Sequence, residues 1–166
     1  MSKTKHLEAE AREIIKSNIH MTIATANKKG KPWISPVYFA YDSKFNLYWG
    51  SSKNSLHSKL IRKNNAIAVV IFDSKAPEGT GNGVYMIGKA SEALHKEIPY
   101  AMKLLFNRTG KSSKYYKKMK PEDYTGNSPV RLYKFVPSRF WVLGNSVKVR
   151  GKLVDIRIEV HLIKKS

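Results

Sequence analysis

Hydrophobic positions recur along this chain with two periods, and the switches between them mark out its elements. Leu7, Ala11, Ile14 and Ile15 fall at helical spacing among charged residues, which predicts an amphipathic helix over residues 4–18 resting on an apolar surface. Glutamates at 8, 10 and 13 suit the positive end of that helix's dipole. The run IHMTIATA at 19–26 is rich in β-branched residues and alternates loosely, so it reads as a strand. A turn centred on Gly30 follows, and 32–41 forms the returning strand. Pro36 cannot donate to a ladder, and an interruption is expected there. After a polar turn at 42–46, residues 47–50 form a short strand.

The segment SSKNSLHSKLIRKNN then turns helical, with Asn54 or Ser55 as the expected N-cap and Ser58 and Lys59 in or just past the first turn. Leu56, Leu60 and Ile61 give it an expected buried stripe, and the unbroken apolar run AIAVVIF at 66–72 predicts a strand buried on both faces. DSKAPEGTGNG at 73–83 is a loop. Its glycines do not form a dinucleotide fingerprint, because a strand follows where a helix would be required. That strand, 84–94, carries Gly88 as a possible bulge. Helices are expected at 98–106 and 111–120, a polar connection at 121–129, and strands at 130–136, 139–143 and 152–161, separated by Pro137 and by GNSVKVRG. Hairpin-linked strands with few helices predict a mainly β (α+β) chain: a small split β-barrel of about six to eight mostly antiparallel strands with peripheral helices. Residues 1–166 are read as one domain, with 95–128 as a helical excursion.

Composition narrows the chemistry. With 42% hydrophobic residues the chain can build a core, and the absence of cysteine excludes disulfides, thiolate metal sites and cysteine nucleophiles. The histidines are scattered singly and suggest no metal site. No apolar run approaches the roughly 20 residues that span a bilayer, and the N-terminus lacks the apolar centre of a signal peptide. A cytoplasmic protein with no membrane partner is therefore expected. The formal charge of +19, from 31 basic and 12 acidic residues, brings polyanions into consideration. The lysines are spread over nearly every segment and come with no nucleic-acid-binding motif, which argues against sequence-directed nucleic-acid binding.

A bound phosphate needs converging donors: hydroxyls, backbone N–H groups at a helix start and a cation. Ser51, Ser52, Ser55, Ser58 and Lys59, with Lys53 and His57 beside them, supply all of these around one helix N-terminus, although serines there also serve simply as caps. Aromatic residues on the adjoining strands, Trp33, Tyr38, Phe39, Tyr41, Tyr48 and Trp49, with Trp141 later, suit either a core or a slot for a flat ring.

The runs PWISPVYFAYD, LYWGSSKNSLHSKLIRKNN and APEGTGNGVYMIGKA, resumed at RLYKFVPSRFWVLG, resemble the pyridoxamine 5′-phosphate oxidase-like FMN-binding split barrels. The resemblance implies a homodimer with FMN at the subunit interface and a small-molecule substrate. By position, Trp33, Ser35, Pro36 and Val37 would lie along the flavin ring, and Trp49, Gly50, Ser51 and Ser52 beside the ribityl chain and ring. Ser55, Ser58 and Lys59 would hold the phosphate, with His57 as a further donor, and Trp141 would approach from the partner subunit. Two departures bear on function. The chain ends DIRIEVHLIKKS without the Arg-x-His element that holds pyridoxal substrates, and the early-strand arginine that binds FMN phosphate falls here among Trp33, Ser35 and Pro36. Oxidation of pyridoxamine phosphate is therefore not the expected reaction. A flavin-dependent oxidoreductase is the leading expectation, with a non-catalytic flavin-, deazaflavin- or heme-binding module, or a basic nucleic-acid-associated barrel, as alternatives. No catalytic side chain is assigned, because the flavin would carry the chemistry.

Overall fold

The computed structural model of the chain describes residues 3–108, 118–144 and 146–163. Helix α1 (Lys3–Ser17) leads into β1 (His20–Ala26), β2 (Pro32–Tyr38), β3 (Ala40–Tyr41) and β4 (Leu47–Ser52). Helix α2 (Leu56–Lys63), β5 (Ala66–Phe72), β6 (Gly83–Glu92) and α3 (Ile98–Asn107) follow. The chain closes with β7 (Val130–Leu143), β8 (Val147–Val149), β9 (Lys152–Val154) and β10 (Arg157–Val160). Seven strands form an antiparallel sheet in the order β2-β1-β5-β6-β7-β4-β3, and β10 joins as an eighth alongside β7. The sheet curls into a half-barrel, the split-barrel fold.

The curl encloses a core of Met21, Ile23, Phe39, Leu47, Trp49, Ile71, Met86, Tyr133, Phe135 and Phe140, onto which α1 packs Ala11 and Ile15. A second cluster, Ala40, Tyr48, Ile98, Ala101, Leu105, Tyr124 and Leu132, forms where α3 lies against β3 and β4. Arg108, just past α3, ties the two helices together. Its guanidinium donates to the carbonyls of Ile15 at 2.7 Å and Lys16 at 3.1 Å, covering the C-terminal end of α1, and lies over the Tyr41 ring at 4.8 Å.

Several expectations are corrected. Strand β2 runs through Pro36, which pairs with Thr22, and the break falls at Phe39. β2 is an edge of the sheet, so an absent N–H on its open side leaves no ladder bond unmade. Likewise β7 continues through Pro137. The register steps from Ile87 opposite Arg139 to Gly88 opposite Pro137, leaving Ser138 as the extra residue of a bulge, where proline is tolerated. Glycine is required at 88: a Cβ there would overlap the Val136 carbonyl oxygen and come within 2.9 Å of the Pro137 Cα. Strand β4 extends to Ser52, so Ser51 and Ser52 are strand residues, and the 121–129 connection contains a 3₁₀ turn, Pro121–Tyr124, that buries Tyr124. The stretch 152–161 is split into β9 and β10. The helix expected at 111–120 falls largely on residues outside those described.

Strand β5 is not buried on both faces within one chain. Ile67, Val69 and Ile71 enter the core, while Ala66, Ala68 and Phe72 face outward and exposed. Helix α2 departs from its expected stripe too: its buried residues are His57, Ser58 and Ile61, and Leu56 is exposed.

Candidate functional site

Burial of a histidine and a serine beneath α2, with a leucine left outside, marks the place where polarity has been drawn inward. Strands β2 and β4 lie on opposite arms of the sheet order and are not paired with each other. Along the seam between them, β2 supplies Ser35, β4 supplies Ser51, and α2 supplies Ser55, His57 and Ser58. Ser55 is the N-cap, and its side chain accepts from the Ser58 N–H. That cap fixes the first turn so that His57 and Ser58 point inward.

His57 is the hub. Its Nδ1 lies 3.1 Å from Ser35 Oγ, and its Nε2 lies 2.7 Å from Ser51 Oγ and 3.0 Å from Ser55 Oγ. Proton bookkeeping assigns the tautomer. Trp33 Nε1–H donates to Ser35 Oγ at 3.1 Å, which leaves the Ser35 proton available to an accepting Nδ1. Ser55 donates to Ser58 Oγ at 2.8 Å and must therefore accept from Nε2–H. The Ser51 proton then has only the 3.5 Å contact to Ser55. Burial lowers the His57 pKa, which keeps the ring neutral at neutral pH. Beyond Ser58 the chain of contacts reaches Tyr133, whose phenol is pushed up by burial and donates to Glu92 at 3.4 Å, and Glu92 in turn pairs with Arg62 at 3.1 Å.

On the other side of β2 and β1 lies the outward face of the sheet. A groove of about 450 Å³ there is lined by Thr22, Ala24, Ile34, Tyr85, Trp141 and Arg157, among others. A second groove of about 840 Å³ runs on past Ala26, Ala66, Gly88 and Pro137, sharing Ala24, Ala68 and Ile87 with the first. In the first, the Arg157 guanidinium lies 4.4 Å from the Tyr85 ring centroid. Arg139, paired with Glu159, lies 4.7 Å from the centroid of Trp141.

The structure thus joins Trp33, Ser35, Ser51, Ser55, His57 and Ser58 in one hydrogen-bonded network. Other expected site residues lie apart from it. Trp49 is in the core, stacked on Tyr133 with its Nε1–H unpartnered among the described residues, so its side chain presents no wall to the seam. Val37 is also buried, Pro36 is exposed on the outward side, and Gly50 pairs with Leu132. The Ser52 hydroxyl accepts from the Asn54 N–H at 3.2 Å, Lys59 is exposed on α2, and Trp141 belongs to the groove. Ile34 of the groove sits between Trp33 and Ser35 of the network, so the two features meet on β2. Sequence reasoning missed Tyr85 and Arg157 as groove residues. The available signal was the outward alanines at 24, 26, 66 and 68 and Gly88, small residues that permit close approach of a ring or a second chain.

The curled antiparallel half-barrel that carries this seam and groove places the chain in the split-barrel class. The family described as pyridoxamine 5′-phosphate oxidase matches residues 7–144, and the chain belongs to that family. Solved structures share the fold at low identity. A protein of unknown function from Agrobacterium tumefaciens superposes with a TM-score of 0.69 at 16% identity, over 93% of this chain and 63% of that one. A heme binding protein from Mycobacterium smegmatis gives 0.66 at 18%, over 91% and 57%. An FAD-binding protein from Mesorhizobium loti gives 0.59 at 18%, over 81% and 91%. The chain thus spans less than two thirds of the length of the first two. No curated protein matches it in sequence.

Proposed function

We propose that this protein is an FMN-binding oxidoreductase acting on a small molecule, working as a homodimer with the cofactor between the seam and the outer groove. The carrying observation is the seam network, in which a neutral, buried histidine and four serines converge beside an apolar groove that shares strand β2. That donor set fits a phosphate. Ser51, whose proton has only a 3.5 Å contact, can turn its hydroxyl toward the phosphate oxygens, the His57 Nε2–H that it shares with Ser55 can follow, and Lys59 provides charge from the exposed side of α2. The groove fits a flat ring, because Ala24 and Ala68 let it approach the backbone and Trp141 and Tyr85 flank it. FMN, when bound, supplies hydride or electron transfer. The chain's own residues orient it, exclude water and place a cation, Arg157, at the rim of the groove.

The outward face supports the dimeric reading. Ile34 is 65% exposed, and Ile87 and Val136 along the same grooves are also exposed, a patch that a second copy would cover. Such a contact would also bury the outward face of β5 and bring Trp141 to the partner's seam. The family and the FAD-binding relative support a flavin. Heme is the second reading: the heme binding relative supports it, and among the described residues of the grooves Tyr85, not a histidine, is the candidate axial ligand.

The test is direct. Purified protein should show flavin absorbance or acquire it with added FMN, sediment as a dimer, and undergo reduction of the bound flavin by NADH or NADPH. Failure to take up FMN would sink the proposal, and a monomer that binds FMN tightly would sink its dimeric part.

A further inference from the structure

Strands β8 and β9 form a ribbon that belongs to no other sheet. All six of their residues are exposed, and none joins either hydrophobic cluster. The ribbon continues the β7–β10 hairpin beyond the main sheet, joined to it by the Gly144 N–H donating to the Ile156 carbonyl at 2.9 Å, and so projects both of its faces into solvent. Its composition indicates the kind of surface it fits. Pairing sets Val147 opposite Val154 and Val149 opposite Lys152, on one face, with Lys148 opposite Leu153 on the other. Leu153 is 70% exposed and Val149 51%, while Lys148, Arg150 and Lys152 are interleaved with them. At the tip, Arg150 has φ 49° and Gly151 φ 76°. A two-residue hairpin turn with both φ values positive prefers asparagine before the glycine, so an arginine there keeps a cation at the apex against the local backbone preference. Phe72, also exposed, lies at the same end of the main sheet, where it pairs with Gly83 beside the Val84–Val142 pair.

We propose that the 147–154 hairpin docks the protein on anionic lipid surfaces through its valine face, with Val147, Val149 and Val154 entering the headgroup layer and Lys152, the apical Arg150 and the long Lys148 side chain meeting lipid phosphates. The chain's +19 charge, which the flavin reading leaves unexplained, complements such a surface. A second copy fits less well, because pairing two hairpins would set their cations against each other. Nucleic acid fits less well too: residues 146–155 contain no aromatic ring to stack on a base, and four exposed aliphatic side chains have no use on a phosphate backbone. The earlier expectation of no membrane partner came from the lack of a spanning run, and indeed no described helix is long and apolar enough to cross a membrane. A ribbon lying on the surface needs no such helix.

The experiment is co-sedimentation of the full chain with vesicles of phosphatidylcholine alone and of equal parts phosphatidylcholine and phosphatidylglycerol. Binding is expected to the anionic vesicles only. The Lys148→Gln/Arg150→Gln/Lys152→Gln variant should partition about a hundredfold less well. Val147→Ser/Val149→Ser, which strips the valine face and leaves the charge unchanged, should lose about tenfold. Unchanged melting temperatures would certify that both variants fold. Absence of binding by the parent protein would overturn the proposal, as would undiminished vesicle binding by either variant. A serine variant that loses its oligomeric state but keeps its vesicle affinity would assign the hairpin to a second copy. A glutamine variant weakened only toward a DNA duplex would assign it to nucleic acid.

Discussion

Replacing His57 with phenylalanine tests the seam most directly, since it keeps a flat ring of similar size beneath α2 and deletes both nitrogens. Three contacts disappear, to Ser35 at 3.1 Å, Ser51 at 2.7 Å and Ser55 at 3.0 Å. Each net bond is worth about 1 kcal/mol, and a buried hydroxyl left without a partner costs about 1–3 kcal/mol. Ser35 keeps the Trp33 indole and Ser55 keeps Ser58, which limits the loss to about 2–3 kcal/mol. For a domain of this size that corresponds to a fall in Tm of about 5–10 °C. If the seam holds the FMN phosphate, removing its Nε2–H donor should weaken FMN binding about tenfold as well, read by quenching of flavin fluorescence. His57→Gln, whose amide offers an NH₂ donor group and a carbonyl acceptor, should recover part of both effects. A phenylalanine variant that melts within about one degree of the parent and binds FMN equally well would refute the reasoning for both stability and binding.

Further outcomes follow from the same geometry. Lys59→Ala should weaken FMN binding roughly tenfold or more by removing a charged phosphate contact, less so at high salt, and an unchanged isothermal titration would locate the phosphate elsewhere. Gly88→Ala forces a methyl against the Val136 carbonyl oxygen and should cost about 1–3 kcal/mol in urea unfolding, whereas a neutral result would mean that β6 and β7 part freely at the bulge. Acidification should destabilise the fold in two steps. The folded pKa of His57 lies below its ordinary value of 6.5 because of burial, so the unfolded chain binds more protons there, and stability drops as pH falls through 6.5 towards the lower folded value. Glu97, held below its ordinary 4.5 chiefly by its hydrogen bond to Lys134, loses its stabilising effect only at lower pH. His57→Gln should flatten the first step in a series of thermal melts and leave the second.

Local rules settled much of this protein from its sequence. Helix α1, the Gly30 turn, the Ser55 cap and the Gly88 bulge are each specified within a few residues, by side-chain periodicity, by a hydroxyl at a helix start, or by what a bulge requires. Family membership was legible for the same reason, since it rests on a linear order of such elements. The tertiary structure decided matters that depend on neighbours far along the chain. Whether Pro36 or Pro137 breaks a strand turns on whether a partner's carbonyl faces the missing N–H, which sheet order and the opposing Gly88 determine. Which tryptophan lines a site and which fills the core turns on the side of the sheet each one faces: Trp49 points into the barrel, and Trp141 points out of it. The hydrogen-bonded seam could not be read from any single stretch, because Ser35 and His57 meet only where the curl of the sheet brings β2 beside β4 and α2 closes over both.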